Sequence, residues 1–206
     1  FIGGGISNHA SGSYSTVSGG YGNIASGVCS AIGGGCGNTS SGNCSAIGAG
    51  CGNTASERAA VVAGGKNNTA SNCYAAIGGG CNNTASGKNS TVAGGCGNTA
   101  SNCYSSVIGG KDNTVSGCCS IVGGAGNQVS GHLSTISGGY AAQCISSNAA
   151  FIGGGSGNCI TGTYAVIGGG IANRSTALYA SVLGGRFNCA KGNCTFVGAG
   201  ESNHSV

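Results

Sequence analysis

The sequence contains no proline, methionine or tryptophan, and only 5% of its residues are charged. With so few large apolar side chains it cannot fill the wide core of an ordinary globular domain. The same scarcity of charge excludes the highly charged composition of a typical disordered chain. Seven cations, Arg58, Lys66, Lys88, Lys111, Arg174, Arg186 and Lys191, stand against Glu57, Asp112 and Glu201. They are too scattered for a nucleic-acid footprint, so no nucleic-acid partner is expected. No apolar run is long enough to cross a membrane, so no membrane insertion is expected either. Phe1 opens in the middle of a repeat, without a basic or apolar leader, and a targeting segment is expected to have been removed or to lie outside the sequence.

What the chain has is glycine, 47 of 206 residues, and 14 cysteines. Such a cysteine content suits an oxidising compartment, so an extracellular location, on a cell or virion surface, is expected. The cysteines and glycines sit in a fifteen-residue repeat, Asn-x-Ala-Ser-Gly-x-x-Ser-x-Val/Ile-x-Gly-Gly-x-x. Its Asn recurs from Asn8, Asn23 and Asn38 through to Asn188 and Asn203, with Gln143 in the one vacancy. Between Asn113 and Asn127 the interval shortens to fourteen residues, and between Asn127 and Gln143 it lengthens to sixteen. A local bulge or turn irregularity is expected there.

Counting Asn as position 0, positions 0, 2 and 4 read Asn, Ala/Val/Ile and Gly, and positions 7, 9 and 11 read Ser/Ala, Val/Ile and Gly. Period-two alternation bounded by glycine turns marks short strands with one face buried. The expected fold is all-β: one parallel β-solenoid domain over 1–206, about thirteen coils of fifteen residues, two short strands per coil. Stacking aligns Val17, Ile32, Ile47, Val62 and their successors in one inner column, facing Ala10, Ala25, Ser40, Ala55 and theirs. The Asn ladder is expected to satisfy turn amides and carbonyls, and pairs such as Gly34-Gly35 to take positive φ at a corner.

The segments Ser45-Ala46-Ile47-Gly48 and Ala25-Ser26-Gly27 resemble the head repeats of the trimeric autotransporter adhesins related to YadA. Gly-Gly-x-x-Asn-x-Ala-Ser-Gly repeats are similar to those of phage and large-virus fibre proteins. The spacing in Asn113-Thr114-Val115-Ser116-Gly117 is similar to that of the ryegrass antifreeze protein. These resemblances cover essentially the whole chain and imply a left-handed parallel β-roll. They also imply an adhesin head or surface fibre, with a host surface or glycan receptor as partner, or alternatively an ice-binding protein.

Five cysteine pairs are fifteen residues apart: Cys29 and Cys44, Cys36 and Cys51, Cys81 and Cys96, Cys103 and Cys118, Cys144 and Cys159. Stacked in register their Cα atoms lie about 5 Å apart, within disulfide range, so they are expected to staple coil to coil. Cys73, Cys119, Cys189 and Cys194 have no such partner. No Cys-x-x-Cys occurs and His9, His132 and His204 are far apart, so no metal or other cofactor is expected.

The two outer faces differ. Ala31, Ala46, Val61, Ala76, Ile121, Phe151, Val166 and Phe196, joined by Ile108 and Leu183, form an apolar strip. Such a strip predicts lateral self-association of the chain with itself, most simply a homotrimer. The opposite face carries Thr39, Thr54, Thr69, Thr84, Thr99 and Thr114, each with Ser two residues on, a hydroxyl array that resembles the ice-binding surfaces of several antifreeze proteins. Sequons at Asn67, Asn82, Asn89 and Asn193 fall in turns, whereas that of Asn38 belongs to the inward ladder. The three acids lie on different coils, and no helix follows the glycine turns to hold phosphate, so no catalytic site and no enzyme activity are expected. A fibre or adhesin module is the leading reading; an ice-binding protein and a head-to-tail polymerising filament subunit are the alternatives.

Overall fold

The computed structural model describes residues 1–206 as an all-β parallel solenoid of about thirteen coils, without helix. No helix is therefore long and apolar enough to cross a membrane. The chain divides into two compact units, Phe1–Tyr104 and Ser105–Val206.

In the first unit one sheet stacks His9–Ala10, Ile24–Ala25, Thr39–Ser40, Thr54–Ala55, Thr69–Ala70, Thr84–Ala85 and Thr99–Ala100. The second stacks Thr16–Val17, Ala31–Ile32, Ala46–Ile47, Val61–Val62, Ala76–Ile77 and Thr91–Val92. Every pairing is parallel and joins the same repeat position one coil on, as in Thr39↔Thr54 and Ala46↔Val61. Thr39 N–H donates to Asn53 O at 2.8 Å and Ser41 N–H to Ala55 O at 2.9 Å. A third paired position, missed in the sequence, runs through Tyr21, Cys36, Cys51, Lys66, Cys81 and Cys96 as single bridges.

The core is two side chains thick. Val17, Ile32, Ile47, Val62, Ile77 and Val92 are buried, as are Ala25, Ser40, Ala55, Ala70, Ala85 and Ala100. At about 25 cal/mol per Å² of apolar surface, such small side chains contribute little each, so stability depends on repetition. The Asn ladder adds polar rungs. Asn38 Nδ2 donates to Gly34 O at 3.0 Å and Gly50 O at 2.9 Å, while its Oδ1 accepts from Asn53 N–H at 3.0 Å. The same rung recurs at Asn53, whose Nδ2 reaches Ala49 O and Gly65 O. Each Asn thus closes its own corner and anchors the next coil.

Two corners turn the chain. At the glycine corner Gly35 has φ 93°, and a Cβ there would strike the Gly50 carbonyl and the Asn38 amide. At the other, Ser30 N–H donates to Gly27 O at 3.1 Å and Cys29 has φ 57°. That is the geometry of a type II turn, which normally favours glycine at its third residue. Here the residue is never glycine: Tyr14, Cys29, Cys44, Ala59, Tyr74, Asn89 and Tyr104 fill it in the first unit. None is β-branched, the class for which left-handed backbone is most costly. The sequence reading placed positive φ at the glycine corner alone.

The second unit repeats the plan. Thr114–Val115, Gln128–Val129, Cys144–Ile145, Cys159–Ile160, Arg174–Ser175, Cys189–Ala190 and His204–Ser205 form one sheet. Ser106–Val107, Ile121–Val122, Thr135–Ile136, Phe151–Ile152, Val166–Ile167, Ser181–Val182 and Phe196–Val197 form the other. The expected irregularity lies here, entirely within the glycine corner. Thr114 pairs with Gln128 and Gln128 with Cys144, because one glycine is missing before Ala125 and one residue is added at Ala141-Ala142. Both alanines are left-handed, at φ 61° and 55°. The longer Gln143 side chain still donates to Gly138 O at 2.6 Å and Gly155 O at 3.1 Å. Its buried Oε1 accepts nothing.

Candidate functional site

The hydroxyl array is most regular in the first unit. Strand register carries Thr39, Thr54, Thr69, Thr84 and Thr99 in one unbroken column, each half-buried. Ser41, Ser56, Ser71, Ser86 and Ser101 run beside it two residues on. Each step along the column is one strand spacing, about 4.8 Å, so the threonines form a regularly spaced column held by backbone bonds. Thr114 belongs to the second unit and stands next to Gln128, where the threonine run stops. There, a shallow depression of about 230 Å³ lies over Thr114, Ser116, Gln128, Ser130, Cys144 and Ser146. It falls below the roughly 300–1,000 Å³ of ordinary small-molecule pockets.

The apolar face requires a correction, because register interrupts it. Ala31, Ala46, Val61 and Ala76 are contiguous in the first unit but bounded by Thr16 and Thr91. In the second unit Phe151 and Val166 are neighbours, while Ile121 and Phe196 are separated from them by Thr135 and Ser181. Ile108, Ile121, Phe151, Leu183 and Phe196 are exposed, and Ala46, Ala76 and Val166 half-buried. The face is a set of apolar patches separated by hydroxyls rather than one strip.

Of the five expected rungs, Cys144–Cys159 is a disulfide, with Cα atoms 4.8 Å apart. Both cysteines lie on strands whose pairing places them opposite each other, so their side chains leave the same face in parallel. Cys29, Cys44, Cys36 and Cys51 are thiols; Cys36 and Cys51 share a bridge at the glycine corner. The Cys96 thiol donates a weak hydrogen bond to Cys81 Sγ, at 3.7 Å. Cys103 lies in the first unit and Cys118 in the second, where its Sγ is 3.5 Å from that of Cys119. Cys189 is buried on the strand between Arg174 and His204 in register.

The charged side chains do not converge. Asp112 stands 3.8 Å from Lys111, and Glu201 accepts from Arg186 at 2.6 Å. Arg58 donates to the Tyr74 hydroxyl and lies 5.1 Å from its ring centre; that bond raises the guanidinium further above its ordinary range. No group of three or more His, Cys, Asp or Glu side chains is placed to hold a metal ion. Among the sequons, Asn67, Asn82 and Asn193 are exposed, Asn89 is half-buried, and Asn38 is locked in the ladder. Sequence reasoning overlooked one contact: Tyr164 and Tyr179 stack with ring centres 5.0 Å apart and planes 10° from parallel. Their fifteen-residue separation was the available signal. No protein-family model matches the chain, and no curated protein matches it.

Proposed function

We propose that the chain is a structural module of an extracellular fibre or adhesin, which self-associates through the patches at Ala31–Ala76 and Phe151–Val166. The observation that supports this most is the in-register stacking within a patch: Ala31, Ala46 and Val61 lie opposite one another on successive coils, each coil anchored to the next by the Asn ladder. A surface built this way presents the same contact many times, which suits weak lateral contacts that sum by repetition. The resemblance of Ser45-Ala46-Ile47-Gly48 to adhesin head repeats agrees with this reading, and with a left-handed roll assembled as a trimer. With its ionic groups dispersed, the chain is read as non-catalytic.

Sedimentation equilibrium of the native chain tests self-association. Oligomers are expected, and a variant carrying Ala46→Glu with Ala76→Glu is expected to remain folded but monomeric, since burying an unpaired carboxylate between chains is costly. A native chain that sediments as a monomer at all concentrations would sink the proposal.

The unbroken threonine column favours a second reading, binding to ice, because regularly spaced hydroxyl and methyl groups match an ordered water layer better than a dispersed polar surface does. Thermal hysteresis that is lost on Thr69→Lys would support it. Absence of hysteresis in the native chain would dismiss it.

A further inference from the structure

The left-handed corner opposite the glycine corner directs one side chain per coil outward, and register places each about one strand spacing from the next. In most coils its occupants differ: Tyr14 is followed by Cys29, Tyr74 by Asn89, and Cys119 by Leu133. Only Tyr164 and Tyr179 are tyrosines on successive coils. Their φ values, 57° and 56°, are nearly identical, so both rings leave the backbone in the same direction. The backbone fixes their separation as well, because Tyr179 N–H donates to Thr163 O at 3.0 Å. The result is the stack at 5.0 Å and 10°. Both rings are about half exposed, at 52% each, and thus open to solvent-borne reagents.

We infer that Tyr164 and Tyr179 form a dityrosine cross-linking site, a covalent staple between adjacent coils. The phenols are oxidised by a peroxide acting through a haem peroxidase. Each phenol loses one electron and one proton, giving two phenoxyl radicals, and the peroxide is reduced to two molecules of water. The radicals couple through the ring carbons ortho to the hydroxyls, forming one carbon–carbon bond. Each coupled carbon then passes its hydrogen to its own phenolic oxygen, restoring two aromatic phenols. Near-parallel rings with centres 5.0 Å apart need only a short approach for two ortho carbons to meet, and a preorganised pair reacts at high effective concentration.

The position of the site gives the staple a structural consequence. Cys144–Cys159 already joins the coil beginning at Gln143 to that beginning at Asn158. A bond between Tyr164 and Tyr179 joins the Asn158 coil to that beginning at Asn173, so the Asn158 coil is fastened on both sides. The inference follows from corner geometry alone and does not depend on the fibre reading.

The test treats the dilute full-length chain with a haem peroxidase and hydrogen peroxide, followed by dityrosine fluorescence and peptide mapping. The expected product is an intramolecular Tyr164–Tyr179 peptide lighter by two hydrogen atoms, in excess over every other tyrosine pair. Tyr179→Phe and Tyr164→Phe, each checked for folding by circular dichroism, are expected to lose that peptide and most of the fluorescence. Tyr140→Phe is expected to retain both. Cross-links spread evenly over distant tyrosines, or a Tyr179–Cys194 adduct in place of the pair, would overturn the assignment. The mapping of the native chain decides the question even if a variant fails to fold.

Discussion

Within the coil, position 7 shows how one hydroxyl changes sign with its neighbour. Ser45 donates to Gly42 O at 2.7 Å and meets the Ser40 hydroxyl at 2.6 Å, so both hydroxyls are satisfied inside the core. Ser30 and Ser90 face Ala25 and Ala85 instead, and their buried Oγ atoms have no partner. Ala60 and Ala75 occupy the same position fully buried, which shows that alanine fits. Ser90→Ala is therefore expected to stabilise the chain by about 1 kcal/mol, because an unmet buried hydroxyl is removed without leaving a partner stranded. Ser45→Ala is expected to cost about 1 kcal/mol, because the Ser40 hydroxyl then lacks an acceptor. Thermal melting of the two variants should shift in opposite directions; a shared direction would show that packing, not hydrogen bonding, controls this position.

At the level of the element, the corner sets the coil length. The glycine corner tolerates a lost residue before Ala125 and a gained one at Ala141-Ala142 because its backbone lies at the surface, while the strands on either side keep their faces. The cost falls on Gln143, whose buried Oε1 is left without a donor. Inserting one glycine after Gly124, deleting Ala142 and replacing Gln143→Asn restores the fifteen-residue period in both coils. This variant is expected to gain about 2 kcal/mol by supplying the unmet acceptor with its ladder partner. A lower melting temperature than the parent's would mean that neighbouring side chains have adapted to the slip. Much of this was legible beforehand: the interval count located the irregularity, and spacing named Cys144–Cys159 as one of five candidate rungs. The corner that absorbed the change was legible too, since Val122 and Ile136 keep the same distance from Asn113 and Asn127 as Val107 does from Asn98, which leaves only the glycine corner to change length.

For the molecule as a whole, each coil bonds mainly to its two neighbours, so damage should spread along the stack and fade with distance. Asn38→Ala removes an amide that serves Gly34 O, Gly50 O and Asn53 N–H together. Gly50 O keeps its bond from Cys36 N–H, but Gly34 O and Asn53 N–H lose their partner, which is expected to cost about 2 kcal/mol. Hydrogen exchange should show lost protection at the amides of Cys36–Thr54, with the amides of Ser156–Asn188 unchanged. Uniform loss over both units would instead mark the chain as a single cooperative block.

The fifteen-residue period, the two inward columns, the Asn ladder and the glycine corner all follow from the sequence, because stacking gives every coil the same surroundings and each position repeats its own chemical requirement. Column membership, however, says only which side chains are neighbours. Whether neighbours meet depends on the direction in which the backbone sends them, and that direction is set by the folded corner. Thus Cys144 and Cys159, parallel on paired strands, are bonded, while Cys81 and Cys96 at the glycine corner remain 3.7 Å apart. The left-handed turn at Tyr164 and Tyr179 likewise brings their rings into a stack, although nothing in the repeat marks that corner as one that would align them.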